Sequence, residues 1–178
     1  MKPKDSPLNA AVKLLSIRAM SRRELHDALL RREYSPDEAD AAVETCVERG
    51  FIDEAAYARM LVRRYSEKGY GKRALFPRLR THGLDSDLIS EALDELTVSD
   101  DQLDTLLQKR LRGDFSENAL NRAAAFLCRR GYAYSDIRRA MERFSIDCPG
   151  DSADFECEED YNGSPSDSDG FPDGAYDD

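Results

Sequence analysis

The sequence predicts an all-α protein: three tandem three-helix repeats, helix-turn-helix-like and forming a curved array, followed by a disordered acidic C-terminal tail. The first of three observations behind this is an apolar quartet. It stands at Ala39, Ala42, Val43 and Cys46, again at Ile89, Ala92, Leu93 and Leu96, and again at Ile137, Ala140, Met141 and Phe144. Each quartet follows the i, i+3, i+4, i+7 spacing of one helix face, and its return after about 50 residues marks an array of one repeated unit. Leu25 and Leu29 recur in the same way as Leu75 and Leu79, then as Ala123 and Leu127. The second observation is that no stretch sustains the apolar–polar alternation of a strand. The third is a break in composition: from residue 145 on there are twelve acids and no Lys or Arg, so the body before it holds all 26 cations and is close to neutral. The tail cannot bury enough apolar surface to offset the entropy of ordering, about 1–2 kcal/mol per residue for the backbone.

The helices follow in order. Leu8, Ala11, Val12 and Leu15 form the first apolar stripe. Ser21 and Glu24 have the spacing of a capping box for the second helix. Ser35 and Glu38 form another for the third, with Pro36 at its first position, where a missing N–H costs nothing. Gly50 stands just past the end of that helix, the usual place for a left-handed C′ residue. In the second repeat, Asp53 caps a helix carrying Tyr57, Met60 and Leu61; Lys68 to Gly71 is a turn; Asp85 caps the helix from Ile89 to Leu96. Pro77 lies inside the helix between them and is expected to kink it, at a cost of about 3 kcal/mol. In the third repeat, Ser99 caps the stripe Leu103, Leu106, Leu107 and Leu111, and Leu120, Ala123, Ala124 and Leu127 follow at helical spacing. The expected organisation is a flexible N-terminus over 1–7, repeats over 8–52, 53–97 and 98–146, and the tail over 147–178.

Several function classes are excluded by pattern. The sequence holds no phosphate-binding Gly-rich loop, no nucleophile elbow and no His-Glu-x-x-His zinc motif. Its acids cluster at helix starts, as Asp37–Glu38, Asp53–Glu54 and Asp100–Asp101 do, where they complement the helix dipole. Cys46, Cys128, Cys148 and Cys157 form no Cys-x-x-Cys pair, and neither His26 nor His82 is spaced to complete a zinc site. The expectation is a cytoplasmic, non-enzymatic binding protein with no cofactor or metal and no membrane span.

Cations gather in one window. Arg59, Arg63, Arg64, Lys68, Lys72, Arg73, Arg78 and Arg80 stand against a single acid, Glu67. Such a run repels itself unless an anionic partner is present, either phosphate backbone or an acidic protein groove. Arg129 and Arg130 belong to a further cluster with Arg138, Arg139 and Arg143, and Lys109, Arg110 and Arg112 form another. The competing reading is a solvated face paired to neighbouring acids. Tyr65 and Tyr70 lie among the arginines, where they can stack on bases; Tyr34 and Tyr132 occupy equivalent repeat positions and are expected to pack; His82 is expected at the surface.

Four strings in order resemble a known family. Leu15-x-x-Arg18-x-x-Ser21-x-x-Glu24-Leu25-x-x-x-Leu29 resembles the opening repeat of the RecX regulatory proteins. Gly50-Phe-Ile-Asp-Glu-x-x-Tyr57-Ala58 is similar to that family's junction between repeats. Lys68-Gly-Tyr-Gly71-Lys-Arg73, with Leu79-x-x-x-Gly83-Leu84 after it, resembles the second repeat, and Phe126-Leu-x-Arg-Arg-Gly131-Tyr132 the third. The resemblance spans about Leu8 to Phe144. It implies binding in the groove, or at the end, of the RecA filament on single-stranded DNA, inhibition of RecA, and modulation of DNA recombination, repair and the SOS response; the chain itself is expected to be a monomer. On that reading Arg59, Arg63, Arg64, Lys68, Lys72, Arg73, Arg78, Arg80, Arg129 and Arg130 form the RecA- and DNA-binding face. The alternative is a sequence-tolerant DNA-binding helical protein that acts without RecA.

Overall fold

Capping and periodicity place nine helices among the described residues, 5–97 and 99–144, of a computed structural model. The first triplet is α1 (Pro7–Ile17), α2 (Arg22–Leu30) and α3 (Pro36–Glu48). The second is α4 (Glu54–Glu67), α5 (Lys72–Thr81) and α6 (Ser86–Asp94), and the third α7 (Asp100–Leu111), α8 (Glu117–Arg129) and α9 (Tyr134–Arg143). Each helix packs chiefly against the other two of its own triplet, so the three-helix repeat is the unit of packing. No strand occurs among the described residues, and none of their helices is long and apolar enough to cross a membrane. The expected acidic tail, from 147 on, lies outside the described residues.

The start signals work as the chemistry requires. Ser21 and Ser35 each form a full capping box, with Glu24 and Glu38 returning to the cap N–H. The Asp53 carboxylate accepts from the Ala56 N–H at 2.8 Å. Asp85 and Ser99 hold the N-cap positions but make no side-chain cap bond. The α1 helix starts at Pro7 behind Ser6, one residue before the first expected stripe position.

Three small apolar cores result, one per triplet. The recurrent pairs Leu25/Leu29, Leu75/Leu79 and Ala123/Leu127 are wholly buried, as are Ala39, Ile89 and Ile137 at the head of each quartet. Burying a leucine contributes about 1.5–3 kcal/mol, and cores this small are marginal alone, so adjacent repeats must lean on one another. Two positions differ from expectation. Val12 is exposed, because Ala10 and Leu14 complete the α1 face with Leu8, Ala11 and Leu15. Met60 is exposed, because Ala58 and Val62 share the inner face of α4 with Tyr57 and Leu61.

The helix does not break at Pro77: α5 runs through it from Lys72 to Thr81. The ring removes a single helical bond, the one to the carbonyl of Arg73, which is an exposed residue free to be hydrated. The Arg78 guanidinium adds a bond to the Ala74 carbonyl at 3.3 Å on the next turn of the same helix.

Candidate functional site

The repeats meet at two junctions that share one geometry. The turn after the second helix of one repeat presses on the start of the second helix of the repeat before it. At the first junction the Ser21 hydroxyl donates to the carbonyl of His82. At the second, the Gly71 N–H donates to the carbonyl of Arg130 at 2.7 Å and the Arg73 N–H to that of Gly131 at 3.1 Å. Ser21 and Gly71 are repeat-equivalent, and so are His82 and Arg130.

The first junction is a side-chain network. His82 Nδ1 lies 3.0 Å from Glu24 Oε1, and the Tyr57 hydroxyl donates to Glu24 Oε2 at 2.8 Å. The Tyr65 hydroxyl lies 3.1 Å from His82 Nε2, and Arg22 N–H donates to Glu54 at 3.0 Å. Burial works to raise the pKa of Glu24, but bonds from His82, the Ser21 N–H and Tyr57 outweigh it and bring the carboxyl down to about 2. Burial, followed by the bond to Glu24, pushes the Tyr57 phenol well up. His82 is therefore not the surface residue its sequence position suggests. It ends α5 as the C-cap, and the fold turns its ring into the gap between two repeats.

The second junction carries the arginines. Arg78 on α5 stacks its guanidinium 4.1 Å from the centre of the Tyr70 ring. Arg130, the C-cap of α8, covers the other partner positions, 4.7 Å from Tyr70 and 5.1 Å from Phe126. Arg110 on α7 stands 4.9 Å from Phe126. The result is an alternating ladder, Arg78–Tyr70–Arg130–Phe126–Arg110, that crosses from the second repeat to the third. Arg130 is further fixed by a bond to the Lys68 carbonyl at 3.1 Å. A stacked guanidinium gives its face to a ring and keeps its N–H edge for a phosphate or carboxylate.

The expected binding residues divide. Lys68, Lys72, Arg73, Arg78 and Arg130 all belong to the segments that build this junction, and Lys72 and Arg73 make no ion pair among the described residues. Arg59, Arg63 and Arg64 are exposed on α4, where Arg63 pairs with Glu67 at 3.0 Å. Arg80 is tied locally to Ser86 and the Leu84 carbonyl. Arg129 is exposed in the last turn of α8. In the remaining basic cluster, Arg138 pairs with Glu142, Arg139 with Asp136, and Arg143 with Asp104 and Asp100. Arg110 and Phe126 are ladder members that the charge run did not single out. The spacing of Phe126 and Arg130, four apart on one helix, was the available signal.

Tyr65 and Tyr70 are half-buried and packed on the second core, with their rings in edge-to-face contact 6.3 Å apart. Tyr34 and Tyr132 pack inward as expected. Cys46 is buried in the first core and Cys128 is half-buried, and neither forms a disulfide among the described residues. Among the described residues no group of three or more His, Cys, Asp or Glu side chains is placed to hold a metal ion.

Fold and junctions together define a helical-repeat protein assembled from three-helix domains. Residues 8–46 match the family model described as the first three-helix domain of RecX, and residues 53–93 that of the second. The chain is 36% identical over 147 residues to the regulatory protein RecX of Xanthomonas oryzae pv. oryzae (strain PXO99A), covering 80% of this chain and 89% of the relative. It is 36% identical over 138 residues to that of Stenotrophomonas maltophilia (strain R551-3), covering 76% and 85%. The crystal structure of RecX from Lactobacillus salivarius superimposes with a TM-score of 0.71 at 22% identity, covering 79% of this chain and 96% of that one. The chain belongs to the RecX family of regulatory proteins.

Proposed function

We propose that this chain is a non-enzymatic regulator that binds RecA filaments on single-stranded DNA and inhibits them, limiting recombinational repair and the SOS response. In this reading it acts in the cytoplasm as a monomer, without cofactor or metal, through units spanning 8–52, 53–97 and 98–146. The observation that carries the proposal is the ladder. It sets three guanidiniums in a row across a repeat boundary, beside Lys68, Lys72 and Arg73, in a chain of a regulatory family. A row of that kind suits a repeating anionic partner, because successive charges meet successive phosphates or carboxylates.

The test is the rate of ATP hydrolysis by RecA on single-stranded DNA with and without the purified chain. The expected result is a fall in rate at amounts well below one chain per RecA subunit. An unchanged rate at saturating chain overturns the proposal. The aromatic interleaving of the ladder also suits direct stacking on bases, which supports the alternative of DNA binding without RecA. Salt separates the two: affinity for naked DNA that tracks the phosphates neutralised, with no effect on RecA, selects the alternative.

A further inference from the structure

The chain between α4 and α5, from Ser66 to Arg73, carries Lys68, Lys72 and Arg73, and the third repeat grips it from two helices. From α7, the Gln102 side-chain amide donates to the Ser66 carbonyl. That carbonyl lies in the last turn of α4 and also accepts from the Gly69 N–H at 2.8 Å. One helical turn further along α7, Leu106 lies against Gly69, where an added β-carbon would meet it at 3.2 Å. From the end of α8, Arg130 donates to the Lys68 carbonyl at 3.1 Å. The Arg130 and Gly131 carbonyls accept from the Gly71 and Arg73 N–H groups. The backbone is thereby pinned at Ser66, Lys68, Gly71 and Arg73.

Gln102 and Leu106 are four apart, on one face of α7. Counted from the N-caps Ser99 and Asp53, their equivalents in the second repeat are Ala56 and Met60, and both are exposed on α4. The hydrogen bonds of the first junction come instead from Ser21, Arg22 and Glu24. The repeat therefore packs without this face, and the second junction adds it. The second junction is also where the cations stand. Lys72 and Arg73 open α5 with no acid in its first turn, a placement that the helix dipole disfavours. They make no ion pair among the described residues. A pinned backbone leaves only their rotamers to be fixed when a partner binds, which lowers the entropy cost of binding.

We propose that Gln102 is a positioning residue: through the Ser66 carbonyl it holds the Ser66–Arg73 turn where Lys72 and Arg73 meet the anionic partner. Gln102 carries no charge, so its effect on binding passes through those two cations. The role rests on the reading above, in which this junction is the partner's site.

The experiment is a double-mutant cycle on the full chain. Gln102→Met keeps the length of the side chain and removes its N–H; Lys72→Gln with Arg73→Gln removes the charges. Each chain is measured by half-inhibition of RecA ATP hydrolysis on single-stranded DNA. Alone, Gln102→Met is expected to weaken inhibition about fivefold, the scale of ordering a freed segment on binding. Once Lys72 and Arg73 are neutral it is expected to have no further effect. A side chain that only stabilised the third repeat would weaken both backgrounds equally; that outcome overturns the proposal, as does an unchanged single variant. Gln102→Glu, which also lacks the N–H, is the second variant should Gln102→Met fail to fold by circular dichroism.

Amide hydrogen exchange reads the turn without RecA. In Gln102→Met, Gly69, Gly71 and Arg73 are expected to exchange about fivefold faster, with Leu107 and Leu127 of the third core unchanged. Exchange that is unchanged in the turn, or faster throughout the third repeat, overturns the proposal. If the unmodified chain leaves RecA hydrolysis untouched, the regulatory reading falls. The cycle is then run on the dissociation constant of a fluorescent oligothymidine, and additivity or absence of binding there overturns the positioning role as well.

Discussion

The backbones of Gly71 and Gly131 lie so close that neither residue can carry a β-carbon. One built on Gly71 collides with the Gly131 carbonyl, and one built on Gly131 collides with the Ala74 backbone. Two helix-start amides of α5 find their acceptors at this contact, in the Arg130 and Gly131 carbonyls. Gly71→Ala and Gly131→Ala are each expected to cost about 3 kcal/mol, the upper end of overpacking penalties. Urea unfolding followed at the third repeat and at the first should then give separate midpoints. A single unshifted transition would show that the junction yields easily.

The same turn position in the first repeat is Glu33, with a φ of 63° against 83° at Gly131. A side chain in that left-handed region costs about 1–2 kcal/mol. Glu33→Gly is therefore expected to raise stability by about 1 kcal/mol, read as a higher urea midpoint, whereas glycine is required at the third-repeat position.

Much of this was legible beforehand, for a local reason. Caps, quartets and recurrent leucines are set by spacing along the chain, so Ser21, Ser35 and the pairs Leu25/Leu29 and Leu75/Leu79 could be placed without knowing what the repeats touch. The junctions could not. Gly71 reads as a turn residue, yet its φ of −84° is open to any residue, and glycine is needed there because another backbone arrives from 60 residues away. His82 reads as a helix end because its partners, Glu24 and Tyr57, come from elsewhere in the chain. Arg110 and Phe126 join the ladder only once the third repeat is docked on the second.

Acid should loosen the first junction. Glu24 has a folded pKa of about 2 against an ordinary value of 4.5. A depressed carboxylate stabilises the fold fully above its unfolded pKa and loses that contribution as pH falls toward the folded one. The contribution, on the order of 3 kcal/mol, is thus present at pH 6 and fades between pH 4.5 and 2. Urea midpoints of the unmodified chain and Glu24→Gln, compared from pH 6 downward, should converge in that window. A constant gap would mean that Glu24 is not held by its charge.

Two equivalent tyrosines should answer differently to loss of the hydroxyl. The Tyr34 hydroxyl donates to the Asp5 carbonyl at 2.7 Å, so Tyr34→Phe should cost about 1 kcal/mol. The Tyr132 hydroxyl is buried with no hydrogen-bond partner among the described residues, and burial pushes its pKa up to about 12. Tyr132→Phe should be neutral or stabilising by up to about 1 kcal/mol, since it removes a desolvated group that nothing compensates. Thermal unfolding of both variants checks the contrast, and equal losses would refute it.

The ladder can be separated from the paired arginines. Arg110→Gln with Arg130→Gln should weaken inhibition of RecA about tenfold, equivalent to about 1.4 kcal/mol, while Arg138→Gln with Arg139→Gln leaves it unchanged. Inhibition is measured by ATP hydrolysis on single-stranded DNA, with urea unfolding as the control for folding. Equal effects from the two pairs would move the partner's site off the ladder.

The turns also give the array a direction. The turns at Gly83 and Gly131 each press on the repeat before them, while the corresponding turn of the first repeat bears an exposed Glu33. The three units are therefore not interchangeable beads. If the first were spliced into the place of the third, the Glu33 side chain would be driven into the backbone at Ala74. Unit order is thus enforced by steric exclusion at the seams, and gene rearrangements that shuffle or duplicate a unit succeed only where glycine occupies the leading turn.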